Sequence, residues 1–93
     1  MTKAIFQYDK GLMFDCVNHA GDHDVCTIVS TLCGVLVIAC KRFDKDFEPT
    51  IYNEGHVRID VSRADDSLKE VFRTVEAVMK QAAKQHPDYI KIY

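Results

Sequence analysis

Residues 25–40 read VCTIVSTLCGVLVIAC, an almost wholly apolar run whose structure decides the fold. Its sixteen residues favour a buried helix, because strands are usually only about four to eight residues long. Asp22 or Asp24 can cap its start, and Lys41 and Arg42 place cations in its last turn, where they suit the helix dipole. Since many of its residues are β-branched, a strand remains an alternative. The sequence therefore predicts a long core helix here.

The segments on either side of this run show the periodicities of strands and of a second helix. Ser62 is the predicted N-cap of that helix, Asp65 takes the acidic position of a capping box, and His86-Pro87 ends it. The predicted strands are residues 5–8, 12–17, 47–52, 56–61 and 89–93. The order ββαββαβ predicts an α+β fold, a two-layer sandwich of one mainly antiparallel sheet and two helices, in a single domain spanning 1–93.

Apolar residues on both predicted helices indicate how the core is built. We expect both helices to pack on one face of the sheet. The residues predicted to make this contact are Val25, Val29, Leu32, Leu36 and Ala39 of the first helix and Leu68, Val71, Phe72, Val75 and Met79 of the second.

Composition excludes several classes of function. The net charge of the 93 residues is −2 and no basic run exceeds Lys41-Arg42, so we expect no nucleic-acid partner. No apolar segment reaches the length of about eighteen residues that a membrane span needs, and Met1-Thr2-Lys3-Ala4 is no secretory signal. We therefore expect no membrane partner and a cytoplasmic location.

The cysteines are expected to be free thiols. Cys26, Cys33 and Cys40 repeat every seven residues, which on a helix separates neighbours by about 10 Å, too far for a disulfide. Free thiols are typical of a reducing compartment. We expect Cys33, Cys40 and the mid-strand Cys16 to be structural, because each can serve as a small buried apolar residue.

Cys26 is the candidate for chemistry. It falls in the first turn of the predicted helix, where the positive end of the helix dipole favours thiolate. His19 precedes it by seven residues at the end of a predicted strand, and the short polar loop can bring both side chains together. A thiol and a neighbouring imidazole are the two parts of a cysteine nucleophile.

Other interpretations of these residues remain open. His23 competes with His19 as the base, although we expect it to be solvated. Ser30 can line a pocket one turn after Cys26, or it can bond back to the carbonyl four residues earlier. His19, His23 and Cys26, with Asp22 or Asp24, also offer atoms that zinc accepts, but their spacing matches no usual closed site. We predict no metal and no cofactor.

The residues resemble the ribosomal-processing cysteine protease family, Prp. In that family a strand ends in Gly-His-Ala, an acidic loop leads to Asp-x-Val-Cys-x-x-x-Ser at the start of a long apolar helix, and Pro-x-Tyr-Ile follows a second helix. The matching segments here are His19-Ala20, Val25-Cys26 with Ser30, and Pro87-Asp88-Tyr89-Ile90. The resemblance covers essentially the whole chain.

The resemblance implies a cysteine endopeptidase, with Cys26 as nucleophile and His19 as base and then acid. Ser30 and Asp24 would contact the substrate, and N–H groups at the start of the helix would stabilise the oxyanion. The implied partners are a peptide segment of a ribosomal protein precursor, whose short N-terminal extension is removed, and a second copy of the chain. The competing hypotheses are a non-catalytic peptide- or protein-binding homologue and a small redox or metal-binding protein.

The chain departs from the family pattern at three points. Asn18 replaces the glycine before the histidine, although asparagine tolerates positive φ better than most residues. The segment from His19 to Cys26 is several residues shorter than usual. The acid lies two residues before the cysteine, at Asp24, where the family has it three residues before.

Overall fold

Five strands and two helices form in the order that the sequence predicts. The computed structural model describes all 93 residues. The strands are β1 (Thr2–Gln7), β2 (Leu12–Val17), β3 (Ile51–Asn53), β4 (His56–Val61) and β5 (Ile90–Ile92), and the helices are α1 (His23–Phe43) and α2 (Asp66–Gln85). The α+β class and the element order are therefore confirmed.

The strands form one mixed sheet in the order β3-β4-β2-β1-β5. All neighbours are antiparallel except β1 and β5, which run parallel. In this register Phe14 lies between Phe6 on β1 and Ile59 on β4, and the rings of Phe6 and Phe14 are 4.8 Å apart. All three side chains are buried beneath the helices. The opposite sheet face is partly exposed, so the core lies on one side only.

The apolar run is a helix, which resolves the alternative left open by its β-branched content. Asp22 is the N-cap and accepts hydrogen bonds from the N–H groups of Asp24 and Val25, both at 3.1 Å. Because this cap precedes the apolar run, the helix starts at His23 and continues to Phe43. By length and composition alone α1 could span a membrane, contrary to the expectation from the sequence. In this fold, however, one of its faces is buried in the core.

The buried face of α1 is rotated from the predicted one. Leu32 and Ala39 are only half-buried, whereas Val37 joins the core and Cys33 and Cys40 are buried as expected. The run is apolar on all sides, so periodicity within it cannot select the face that meets the sheet. The buried residues are Val25, Val29, Cys33, Leu36, Val37 and Cys40.

The first and last strands are Thr2–Gln7 and Ile90–Ile92 rather than the predicted 5–8 and 89–93, and two boundaries between them need larger corrections. The strand expected at 47–52 begins only at Ile51, because the residues before it form a turn held by Asp44 and contain Pro49, which has no N–H. The N-cap of α2 is Asp65, which accepts from the Leu68 N–H at 2.8 Å. Ser62 is not the cap. It directly follows β4, and its carbonyl group lies beside Gly11 in the β1–β2 turn.

α2 packs as its periodicity predicts, with Phe72 fully buried. Val71 is only half-buried, at the edge of this contact. The hydroxyl of Tyr8, just beyond β1, donates a 2.7 Å hydrogen bond to Glu76, which ties the helix to the sheet. α1 and α2 also contact each other over the sheet. This arrangement leaves the start of α1 free to meet the β3 side of the sheet.

Candidate functional site

A cleft of about 600 Å³ opens where α1 begins. It is bounded by the first turns of α1, the end of β2 and the hairpin that joins β3 to β4. His19, Cys26 and Ser30 all line it, although they come from different parts of the fold. Asp24, the fourth predicted site residue, was expected to contact a substrate, but it is exposed in the first turn and does not line the cleft.

Cys26 lies at the end of the first helical turn, as predicted from the sequence. Its N–H donates the first helical hydrogen bond, to the carbonyl oxygen of Asp22 at 2.9 Å. The residue is half-buried, which leaves part of it open to the cleft. Because the Asp22 side chain accepts from the two preceding N–H groups, those of Asp24 and Val25, His23 has the only N–H of the first turn without a partner in the chain. The helix start therefore supplies fewer free donors than we expected.

His19 is positioned by the backbone of Asn18, which directly precedes it. Asn18 adopts φ 72°, the left-handed conformation that glycine or asparagine accepts, so asparagine can serve where the family has glycine. The Asn18 N–H donates to the carbonyl of Gly55 at 2.8 Å, and its carbonyl accepts from the Thr2 hydroxyl at 2.9 Å. The His19 side chain is exposed and lies against Gly55 in the β3–β4 turn.

Two other histidines lie near the cleft. His23 lines it from the first residue of α1 and is exposed, as expected. His56 is at its edge, but its Nε2 makes a 2.7 Å hydrogen bond to Oδ1 of Asp15. Asp15 is on the sheet face opposite the helices, and Arg58 approaches its other oxygen at 3.6 Å. The His56 ring is thus engaged on the far side of the sheet, and His19 and His23 are the other two histidines that line the cleft with Cys26.

Three residues of α1 that carry a hydroxyl line the cleft, namely Thr27, Ser30 and Thr31, and of these only Thr27 bonds back within the helix. Thr27 bonds back to the His23 carbonyl at 3.0 Å, which is the usual arrangement for a hydroxyl within a helix. Ser30 makes no such bond and has no hydrogen-bond partner in the chain. Its hydroxyl is exposed in the cleft one turn after Cys26. It is therefore free to donate to a bound molecule.

The remaining cysteines are poor candidates for nucleophiles. Cys16 and Cys33 are buried at the floor of the cleft. Hydrogen bonding to Cys16, together with burial, raises the pKa of the Cys33 thiol above its usual range. Burial alone raises the pKa of Cys40 to about 11. Cys33 and Cys40 therefore stay protonated at neutral pH, which agrees with the structural role predicted for them. The hydrogen bond from Cys33 lowers the pKa of the Cys16 thiol, so Cys16 is a poor candidate because it is buried.

The zinc interpretation has no geometric support. No group of three His, Cys, Asp or Glu side chains lies close enough together to hold a metal ion. His19, His23 and Cys26 share the cleft without converging on one point in this way.

The β3–β4 hairpin is the part of the site that the sequence did not reveal. Tyr52 and Gly55 line the cleft opposite α1, about thirty residues along the chain from His19 and Cys26. Tyr52 is 57% exposed, although it is a large aromatic residue. No local pattern marks these residues as functional, because their place beside the cleft follows from the pairing of β4 with β2.

Comparison with known proteins finds similarity in structure only. No family model matches the sequence, and no curated protein does. SMU.848 from Streptococcus mutans matches with a TM-score of 0.77 and 24% sequence identity, over 99% of this chain and 91% of that one. The essential ribosomal processing protease Prp from S. aureus, solved with a covalently linked product peptide, matches with a TM-score of 0.78 and 20% identity, over 99% of this chain and 97% of that one. The fold of this chain is therefore the fold of that protease.

Proposed function

We propose that this chain is a divergent member of the ribosomal-processing cysteine protease family and a cysteine endopeptidase with a Cys26–His19 dyad. The observation that carries the proposal is the shared cleft. In a fold that matches a protease over 99% of the chain, the half-buried cysteine at a helix start and the histidine at a strand end line one opening. The three other cysteines are buried.

The proposed reaction follows the chemistry of a thiol and an imidazole. His19 accepts the thiol proton as the Cys26 sulfur attacks the peptide carbonyl. The C–N bond then breaks, His19 donates the proton to the leaving amine, and the N-terminal fragment remains as a thioester on Cys26. With His19 again as the base, water attacks this thioester, releases the fragment as a carboxylate and restores the thiol.

Stabilisation of the oxyanion is assigned to donors that the fold leaves free. Charge develops on the carbonyl oxygen during attack, and fixed donors at that point lower the barrier. The Ser30 hydroxyl and the His23 N–H have no partner within the chain, and both residues line the cleft. Ser30 therefore takes the substrate-binding role expected from the sequence. Asp24, outside the cleft lining, is assigned no contact near the scissile bond.

The proposed substrate is an extended peptide, the N-terminal extension of a large-subunit ribosomal protein precursor or a related signal. A cleft of about 600 Å³ is within the range of small-ligand pockets and holds a few residues of a peptide. The S. aureus relative is a ribosomal processing protease whose structure contains a product peptide. Since such a precursor is made by ribosomes, we propose that the chain acts in the cytoplasm.

The test is cleavage of the precursor from the same organism. Wild type should shorten the ribosomal protein at one bond near its N-terminus, as read by intact mass. Cys26→Ser and His19→Ala should each abolish the mass change while remaining folded by circular dichroism. His23→Ala should have a milder effect, since His23 competes for the role of base but is solvated.

Two outcomes would contradict the proposal. Full activity in His19→Ala, together with loss of activity in His23→Ala, would show that His23 and not His19 is the base. Binding of the precursor by wild type without any cleavage would point to a non-catalytic binding protein.

A further inference from the structure

We infer that Thr2 and Gly55 are positioning residues, which hold His19 in place through the backbone of Asn18. The inference deepens the proposed function and rests on it, because it concerns how the proposed base is oriented. Neither residue is adjacent to His19 in the sequence. The fold places the Thr2 hydroxyl beside the Asn18 carbonyl and the Gly55 carbonyl beside the Asn18 N–H.

The backbone of Asn18 is bound at both of its polar groups. Its N–H donates to Gly55 at 2.8 Å and its carbonyl accepts from the Thr2 hydroxyl at 2.9 Å. It also adopts φ 72°, a conformation that is unfavourable by about 1 kcal/mol for most residues with a side chain. A backbone in such a conformation persists where its surroundings determine it. The two hydrogen bonds supply that determination immediately before His19.

Thr2 is a rigid source of one of these bonds. It is only 2% exposed and is the one buried polar residue of the chain. Its own N–H donates to the Tyr89 carbonyl at 2.9 Å, and it pairs with Ile90 across the parallel strands. The hydroxyl is therefore fixed by β1 and β5. Through it, the residue that follows β2 is tied to β1.

Gly55 limits the position of the imidazole itself. A Cβ atom added to Gly55 would lie 3.3 Å from Nε2 of His19 and 3.7 Å from its Cδ2. This contact is tighter than most that a real Cβ makes, so the ring would have to move by a few tenths of an ångström. Without a side chain at this turn, the ring can rest on the backbone. Gly55 thus acts on His19 in two ways. Its carbonyl accepts a hydrogen bond from the Asn18 N–H, and its lack of a side chain leaves space for the His19 ring.

The first experiment removes the Thr2 hydroxyl. Thr2→Val keeps the shape of the side chain and leaves the Asn18 carbonyl without its donor, whereas Thr2→Ser keeps the donor. Thr74→Val is the matched control, because Thr74 bonds to Glu70 on the exposed side of α2, away from the cleft. The readouts are the rate of iodoacetamide alkylation of Cys26 and the NMR signals of the His19 ring.

The expected result is a specific loss that serine rescues. Thr2→Val should shift the His19 ring signals and lower the alkylation rate several-fold toward that of His19→Ala. Thr2→Ser and Thr74→Val should match wild type in both readouts. A loss of stability alone would leave the ring signals of the folded protein unchanged. Unchanged ring signals in Thr2→Val would therefore overturn the inference.

The second experiment distinguishes two effects of an alanine at Gly55, namely the loss of space for the His19 ring and the backbone strain of a positive φ. Gly55 and Gly21 have φ of 84° and 92°, so alanine is strained at both, but a Cβ at Gly21 meets only Tyr89 at 3.9 Å. Gly55→Ala should displace the His19 ring signals, and Gly21→Ala should do so far less. Equal shifts would overturn the role of Gly55. If Cys26 is alkylated as fast in His19→Ala as in wild type, the dyad of the proposed function is wrong. The His19 ring signals of the Thr2 and Gly55 variants would still show whether these two residues position the ring.

Discussion

At the scale of single residues, the four cysteines occupy different environments. Cys26 is half-buried, and the other three are buried. Alkylation of the folded protein near neutral pH should therefore label Cys26 first. Burial raises the pKa of Cys40 to about 11, so at about pH 8 this residue is a thiol, while iodoacetamide reacts with thiolate. Cys33, whose pKa is also raised, should behave in the same way.

Peptide mapping after treatment with limiting reagent measures this selectivity. The same reaction in denaturant is the control, because there all four thiols should react at similar rates. Labelling of Cys40 as fast as Cys26 in the folded protein would contradict the prediction, since it would require α1 to open readily.

The free hydroxyl of Ser30 leads to a second prediction. Ser30→Ala should lower kcat for precursor cleavage, because it removes a donor that no group within the chain uses. Thr27→Val is the matched control: Thr27 lies one turn earlier in α1, but its hydroxyl already bonds to the His23 carbonyl. Loss of one oxyanion donor costs up to about 100–1,000-fold in kcat, so a large difference between the two variants is expected. Equal kcat values would remove Ser30 from the mechanism.

At the scale of elements, the β3–β4 hairpin closes the cleft opposite α1. β3 is the edge strand, and Tyr52 faces the cleft with 57% of its surface exposed. Tyr52 pairs with Val57, whose buried side chain forms part of the cleft floor. An aromatic ring beside an apolar floor suits an apolar side chain of a bound peptide.

This position predicts a role for Tyr52 in binding the peptide. Tyr52→Ala should raise KM for the precursor more than it lowers kcat, because the ring contributes contact surface for the peptide and no reacting group. Tyr52→Phe keeps the ring face and should resemble wild type. A KM unchanged in Tyr52→Ala would show that the peptide does not contact this wall of the cleft.

At the scale of the whole molecule, stability depends on one core beneath the two helices. Phe72 of α2 is fully buried against the sheet, so Phe72→Ala should cost about 3–5 kcal/mol in the free energy of unfolding. In a domain of this size such a loss approaches the total stability. Val78→Ala is the control, since Val78 lies on the same helix and is 45% exposed. Urea unfolding measures both; a loss below about 1 kcal/mol for Phe72 would contradict the observed packing.

The outer face of the molecule carries an apolar stripe on α1, and we expect it to pair with a second copy of the chain. Val35, Ile38 and Phe43 are 41%, 61% and 44% exposed and line a groove of about 450 Å³ between the two helices. Arg42 and Asp65 line the same groove without bonding to each other. Under twofold symmetry, the arginine of one copy can face the aspartate of the other.

Light scattering coupled to size exclusion tests this pairing. Wild type should elute as a dimer, and Ile38→Glu should be monomeric because it places a charge in the centre of the apolar contact. Val78→Glu makes the same kind of change on an exposed face of α2, outside this groove, and should remain dimeric. A monomeric wild type would exclude the pairing.

The sequence by itself determined the order ββαββαβ, a helix over the apolar run 25–40, which the structure extends to His23–Phe43, and the position of Cys26 in its first turn. These features depend on interactions within a few residues: the cap at Asp22, the length of the apolar run and the alternation along β2 and β4. The resemblance to the protease family also rested on such local motifs, and the match in fold agrees with it.

Only the tertiary structure decided which face of α1 is buried, that β5 joins β1 in parallel, and that the β3–β4 hairpin completes the cleft. α1 is apolar on all sides, so its orientation is selected by the sheet and α2 rather than by its own pattern. Thr2 and Gly55 reach Asn18 from sixteen and thirty-seven positions away along the chain. Contacts of this kind follow from strand pairing across the whole chain, and local periodicity carries no information about them.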